Sequence, residues 1–243
     1  MNYLRFLRKI KNTINLTISK LKPKTNSNEV FDKIYKKRLW GKKENDERLF
    51  SGEGSYDLNL TDEYIKVIKN LLISFDNPSV LDLGCGDFEV GKHFIPYVKN
   101  YIAADVSSIM IEQNKRRFPD TGVNFVHLDG SKNKIPSVDI ILLRQVLQHL
   151  SNDDIKNMLK NINQSGAKCL CLTEHLPINE KFRSNIDKPT SAGIRLGLGS
   201  GVNIEEYPFK FNAESCKTLI DIETFAEGLK SKLVTKQYNI FRN

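Results

Sequence analysis

Residues Val80-Leu81-Asp82-Leu83-Gly84-Cys85-Gly86-Asp87 run from an apolar strand directly into a tight turn with glycines at alternate positions. A chain that turns this sharply beside a ligand needs residues without a Cβ, and Gly84 and Gly86 supply them. A glycine pair after a strand is a weak signal alone. It gains weight from Asp105 at the end of a second apolar run, Asp129 at the end of a third and Arg144-Gln145 at the end of a fourth. Four strands thereby present polar residues at a single edge.

The runs Val80 to Leu83, Tyr101 to Ala104, Val123 to Val126, Val138 to Leu143 and Cys169 to Leu172 are short, apolar and separated by segments of helical length. This alternation predicts an α/β fold with a parallel sheet covered on both faces. Upstream, Phe31, Ile34, Tyr35 and Leu39 predict a helix over Val30 to Leu39. Thr61 is placed to cap a second helix bearing Ile65, Ile68, Leu71, Leu72 and Phe75, with Asp62 and Glu63 in its first turn. Ser151 caps a third, which Gly166 ends. The final runs, Thr218 to Ile222 and Leu233 to Ile240, are close enough to form a hairpin.

At 243 residues the chain suits one domain with a flanking segment. Its charge is uneven: residues 1–43 hold 13 Lys and Arg against only Glu29 and Asp32, within a net +8 for the whole chain. The remainder is mildly acidic, which disfavours nucleic acid as a substrate. Residues 3–21 read as a basic amphipathic helix, suited first to packing on its own domain with a solvated basic face and next to an anionic membrane surface or acidic partner. No run approaches the roughly 18 apolar residues of a membrane span, and no apolar stretch ends in a small-residue cleavage site. The expected location is the cytoplasm, with peripheral attachment to the inner membrane face through residues 3–22 as an open possibility. Cys85, Cys169, Cys171 and Cys216 then read as free thiols; the pair in Cys169-Leu170-Cys171 shares one strand face and makes a poor zinc site.

In an open parallel sheet, ligands bind beyond the carboxyl ends of the strands where the strand order reverses. Asp105, 19 residues beyond Gly86, is placed to accept both hydroxyls of a ribose, and Asp129 to accept from a purine's exocyclic amine. Each aspartate equally suits a cap or turn; jointly they favour an adenosine-bearing ligand. Here the sequence resembles the class I S-adenosylmethionine-dependent methyltransferases. Val80 to Gly86 is similar to their first motif, Ala104-Asp105 to the second and Leu128-Asp129 to the third. The resemblance covers about residues 60 to 175. It implies a Rossmann-like, seven-stranded, mostly parallel sheet with the last strand antiparallel, and S-adenosylmethionine as cofactor. It further implies that Gly84 and Gly86 face the methionine part of the cofactor, Asp105 the ribose and Asp129 the adenine, with Asp82, Cys85, Val106, Gly130 and Arg144 beside them. Phe88 departs from the pattern, since many members have a third glycine there.

The flanks are similar to a narrower bacterial group often found among surface-polysaccharide biosynthesis proteins, through Trp40-Gly41, Ser51-Gly52-Glu53-Gly54-Ser55, Cys85 to Phe88, His149-Leu150-Ser151, Asn203-Ile204 and Pro208-Phe209. This resemblance turns the Ser-Gly stretch from a surface turn into a lid over the cofactor, with Ser51, Gly52 and Ser55 as contacts. The organisation expected is a basic helical extension (1–24), a lid segment (25–60) and a methyltransferase domain (61–243). The reaction implied is methyl transfer to a small polar acceptor, expected to be an O-methylation of a sugar or phosphorylated glycan precursor. The alternatives are N-methylation of a phosphobase or other amine, and a non-catalytic cofactor-binding module in a biosynthetic complex.

A neutral imidazole near pH 7 suits removal of one proton, which makes His149 the candidate base, although a packed structural histidine fits as well. Similarity to phosphoethanolamine methyltransferases, which share its spacing from Arg144, implies that a lid tyrosine, Tyr35 or Tyr56, completes the site. Gln145 stands where that group has an aspartate. It also disfavours a metal-dependent mechanism, and no metal is expected. Arg144, Arg183 and Arg195 are possible contacts for an anionic substrate, the last two being expected at the surface.

Overall fold

A computed structural model describes residues 26–42, 46–179 and 181–241. The basic segment at residues 3–22 lies outside them. Seven strands form one sheet: β1 (Ser79–Leu83), β2 (Asn100–Asp105), β3 (Asn124–His127), β4 (Ile140–Arg144), β5 (Cys169–Pro177), β6 (Ser215–Ala226) and β7 (Leu229–Asn239). Their order is β3-β2-β1-β4-β5-β7-β6. The first five are parallel, and β7 runs antiparallel between β5 and β6. This is the mostly parallel, Rossmann-like seven-stranded architecture that the resemblance implied.

Alternation along the strands sends side chains into two separate cores. Leu81, Leu83, Ile141, Leu143, Leu170 and Leu172 face one side. There they meet α1 (Ser27–Lys36), which inserts Phe31, Ile34 and Tyr35, and α4 (Asn152–Asn163), which inserts Ile155, Met158, Leu159 and Ile162. Val80, Ile140, Leu142, Cys169 and Cys171 face the other side, beneath Tyr64, Ile68, Leu71 and Leu72 of α2 (Leu58–Ser74). The two neighbouring thiols thus share a face and are buried and free. A further helix, α3 (Ser108–Arg117), follows β2 and contributes Met110 to one core and Ile111 to the other.

Several local expectations are corrected. The cap of α2 is Asp57, whose carboxylate accepts from Asn59 N at 3.0 Å; Thr61 lies inside the helix and donates its hydroxyl to the Asp57 carbonyl. Helix α1 starts three residues earlier than its apolar spacing suggested and leaves Leu39 exposed. The β1–β2 crossover is a 3₁₀ segment, Gly91–Tyr97, containing Pro96, and no helix joins β3 to β4. Proline removes a donor and fixes φ, so the short first crossover cannot close a regular α-helix through it. The terminal hairpin is longer than its apolar runs indicate because its outer faces are polar. It turns at Glu227-Gly228 with φ of 50° and 73°, the two positive values that a tight two-residue hairpin loop requires.

Phe88 occupies a left-handed conformation, φ 64°, which explains why glycine is common at this place. Here the ring compensates: it is fully buried, edge-on to Tyr101, Phe118 and Phe125 at 5.5, 5.3 and 5.1 Å. Losing a buried Phe ring costs ~3–5 kcal/mol, whereas relieving a left-handed residue returns only ~1–2 kcal/mol. Phe88→Gly is therefore expected to lower stability by roughly 2–3 kcal/mol in urea denaturation; a stabilised variant would show that backbone strain dominates.

Candidate active site

The strand order reverses between β1 and β4, and the chain's polar edge opens there into a cavity of about 930 Å³. Every residue singled out from the sequence as a catalytic or cofactor contact lies on its wall, including Val106, Gly130 and Gly52. The glycine turn is fixed by β2: Gly84 N and Cys85 N both donate to the Ala104 carbonyl, at 2.7 and 2.9 Å. The Asp105 carboxylate then receives Gly86 N at 3.0 Å and Ser107 N at 2.8 Å. Burial pushes Asp105 up to about 6, against those two amide hydrogen bonds. Asp82, also lifted by burial, to about 7, accepts from the Tyr101 hydroxyl at 3.0 Å. The Cys85 thiol is raised, first by burial and then by the surrounding aspartates.

The two glycines answer to neighbouring chain as well as to a ligand. A Cβ on Gly84, at φ 87°, would stand 2.3 Å from Val146 Cγ2, and one on Gly86, at φ 52°, 2.7 Å from Ser51 Cβ. The first contact brings the loop after β4 against the turn; the second seats the Ser-Gly segment on it. That segment contains a single 3₁₀ turn, Glu53–Ser55, where no regular structure was expected. It is held down by Asp87, which accepts from Ser51 Oγ at 2.8 Å, Ser51 N at 3.2 Å and the Tyr56 hydroxyl at 2.7 Å. Arg144 Nη2 reaches over to the Gly54 carbonyl at 2.6 Å. Tyr56 is therefore a fastener of this segment. Tyr35 lies deeper, buried edge-on to Trp40 at 5.2 Å.

Two charged groups line this half of the cavity. Arg144 is stacked over Tyr64, and its Nε is buried with no hydrogen-bond partner among the described residues. Asp129 Oδ1 accepts from Ser131 N and Oγ, whereas Oδ2, 3.1 Å from Lys132 Nζ, makes no well-directed hydrogen bond. Against the desolvation that would raise it, the Ser131 and Lys132 contacts keep Asp129 below the usual carboxylate range. A buried guanidinium with a spare donor suits the carboxylate of S-adenosylmethionine, and an ionised Asp129 carboxylate on the cavity wall suits its adenine amine. With Asp105 at the carboxyl end of β2, the residues present fit that cofactor.

His149 lies at the other end, on a 3₁₀ turn, Leu147–His149, with its ring 4.9 Å from that of Trp40. Its Nδ1 is buried without a hydrogen-bond partner among the described residues. Burial, and then the Lys188 ammonium, push its pKa down to about 3. This corrects the expectation of a base titrating near pH 7: the ring is neutral, yet weakly basic. Arg195 is corrected too. It is buried, 1% exposed, and donates to the carbonyls of Leu147, Gln148 and Leu150, so it is neither a surface residue nor free to hold an anion. Arg183 is exposed.

Four contributors were given no role from the sequence. Asp87, directly after the glycine turn, fastens the Ser-Gly segment. Glu174 Oε1 and Oε2, at the end of β5, accept from Leu147 N and Gln148 N at 2.8 and 3.0 Å, and so anchor the turn that carries His149. His175 Nε2 lies 2.8 Å from Gln145 Nε2, and the hairpin tip, Phe225 to Gly228, closes the cavity's outer wall. Extending the strand-edge rule to β5 identifies Glu174 and His175; nothing local in the sequence identifies the hairpin tip.

Burial pushes Glu174 up to about 8, against the Leu147 amide and the Arg195 charge. Folded protein then binds more protons at this site than unfolded chain between pH 4.5 and about 8, so the site's contribution is fully present at low pH and lost as pH rises through that window. In urea denaturation, the stability of the wild type relative to Glu174→Gln is expected to fall from pH 5 to pH 8. A constant or growing difference would contradict a raised pKa.

Comparison with known proteins places this geometry. Residues 81–167 match a family model described as a methyltransferase domain. Among solved structures, the chain is similar to N-methyltransferase NodS from Bradyrhizobium japonicum WM9, at 12% identity over 88% of this chain and 98% of that one, with a TM-score of 0.59. It is also similar to magnesium protoporphyrin IX methyltransferase from Synechocystis PCC 6803, at 11% identity over 90% and 100%, TM-score 0.54. The methyltransferase domain of bacterial CtHen1 aligns at 15% identity over 75% and 100%, TM-score 0.54. A comparison with curated proteins found no match. At these identities the structural likenesses establish the fold, and the matched domain supplies the chemistry. The chain thus has the fold of the class I methyltransferases and matches a methyltransferase domain over residues 81–167, which supports an enzyme whose cavity fits S-adenosylmethionine as methyl donor.

Proposed function

We propose that the enzyme methylates a hydroxyl of a small polar acceptor, a sugar or phosphorylated precursor of a cell-surface glycan. The observation that carries this reading is the junction at His149. Trp40 packs on the imidazole and donates from Nε1 to the Ala192 carbonyl at 3.0 Å, so the segment after α1 and the long segment after β5 meet there. Trp40-Gly41 and the Ser-Gly lid, which carry much of the resemblance to surface-polysaccharide proteins, line the same cavity. N-methylation is the second reading, since one similar fold is an N-methyltransferase. It is less well supported because the amide of Gln145 stands where the phosphobase enzymes present a carboxylate.

When bound, the cofactor supplies an electrophilic methyl group, and the chain's task is to align the acceptor, exclude water and take one proton. Asp87 and Arg144 hold the lid segment over the cavity. The turn carrying His149, fixed by Glu174 and Arg195, presents a neutral imidazole. A hydroxyl proton becomes strongly acidic as its oxygen gains a methyl group, so even a weakly basic ring accepts it.

Two outcomes are expected. His149→Ala lowers kcat by roughly 10²- to 10⁴-fold while leaving S-adenosylhomocysteine affinity, measured by calorimetry, unchanged. In the wild type, kcat/KM shows no loss attributable to His149 as pH falls from 8 to 5, because a base with a pKa near 3 remains unprotonated throughout. Unaltered turnover in His149→Ala removes it as the base. Mass spectrometry of glycan precursors incubated with isotopically labelled cofactor tests the acceptor class.

A further inference from the structure

The acceptor end of the cavity is walled by Trp40, Gln145, Gln148, His149, His175 and Ala192. Its polar groups are carboxamides and imidazoles. The charged residues that line this end, Lys42 and Glu227, are exposed, and Glu227 Oε1 is occupied by Ile194 N at 3.2 Å. Gln145 is held in a left-handed conformation, φ 56°, with its side-chain amide spent on His175.

Gln148 differs. Its side chain is 6% exposed, and Oε1 is buried with no hydrogen-bond partner among the described residues. The orientation of the amide follows from its neighbour. Nε2 lies 3.4 Å from the Gln145 backbone carbonyl, which can only accept, so Oε1 is the atom turned away from it. A buried carbonyl oxygen left unpaired is costly, and Gln148 lines the cavity beside His149.

We propose that Gln148 is a specificity-determining residue: Oε1 receives a hydrogen bond from a hydroxyl of the acceptor, and the uncharged wall around it selects a neutral polyol ring over an amine or a phosphate-bearing group. This assignment rests on the hydroxyl-methylation reading and narrows it. One hydroxyl binds at Gln148 while its neighbour on the ring is presented toward His149. Among the described residues of this wall an ammonium finds no buried carboxylate, and the cations nearest to it are already engaged, Arg144 on the Gly54 carbonyl and Lys188 on the His149 carbonyl.

Saturation-transfer NMR titrations on the full chain loaded with S-adenosylhomocysteine test this, with neutral methyl hexopyranosides, hexose 6-phosphates and phosphoethanolamine as probes. The methyl hexopyranosides are expected to bind most tightly. Gln148→Ala should weaken them roughly tenfold, the share of one hydrogen bond, without changing S-adenosylhomocysteine affinity. Gln148→Glu, which keeps the shape and adds a carboxylate, should raise phosphoethanolamine binding at the expense of the neutral probes. Tighter binding of phosphoethanolamine or hexose phosphate to the wild type, absent binding of the neutral probes, or neutral binding untouched by Gln148→Ala overturns the proposal. Methylation of a hydroxyl acceptor with Gln148 variants unaffected would sink this assignment alone, whereas failure of the wild type to bind S-adenosylhomocysteine would sink the methyl-transfer reading with it.

Discussion

The site depends on one close approach. Val146 occupies the space where Gly84 would carry a Cβ, so the turn after β1 and the loop after β4 interlock across the point where strand order reverses. The first turn belongs to the cofactor half and the second leads, three residues later, to His149. Any side chain at position 84 would push the halves apart, and the positive φ of Gly84 would strain it further. The distance between the glycine turn and the His149 turn is thereby tied to the packing of one glycine against one valine, and reactions between groups held on two such turns are sensitive to misplacements of about 1 Å.

Both halves are then braced by buried polar groups. Asp105 and the Ala104 carbonyl take the amides of the glycine turn. Glu174 takes the amides of the His149 turn while Arg195 takes its carbonyls, so this short 3₁₀ segment has both kinds of backbone group paired from opposite sides. Buried polar groups are costly unless they are hydrogen-bonded, and here they fix a segment too short to hold itself. The Ser-Gly segment is joined to the glycine turn by the carboxylate of Asp87 and to the end of β4 by Arg144.

The strands and their common polar edge were legible because apolar runs and the residues that end them are local. The same reasoning located the glycine turn, Asp105, Asp129, Arg144 and His149 on one cavity. It overran where local pattern and tertiary demand part: Asp57 rather than Thr61 caps α2, and proline leaves the first crossover without an α-helix. The contacts of Asp87 with Ser51 and Tyr56, of Gln145 with His175, and of Arg195 with the His149 turn join residues 30 to 48 positions apart, which no spacing rule couples. His149's weak basicity was equally hidden, since it comes from desolvation and from Lys188, a residue whose proximity exists only in the fold.

The central claim is that the interlocked turns set the cofactor's reactive end against the wall that holds His149 and Gln148. A crystal structure of the full chain with S-adenosylhomocysteine tests it most directly. The account predicts the adenine amine on Asp129 Oδ2, the ribose on Asp105, the amino-acid carboxylate on Arg144, and the sulfur facing the His149 wall. A ligand bound with its sulfur turned away from that wall, or with Arg144 Nε still unpaired, would contradict it.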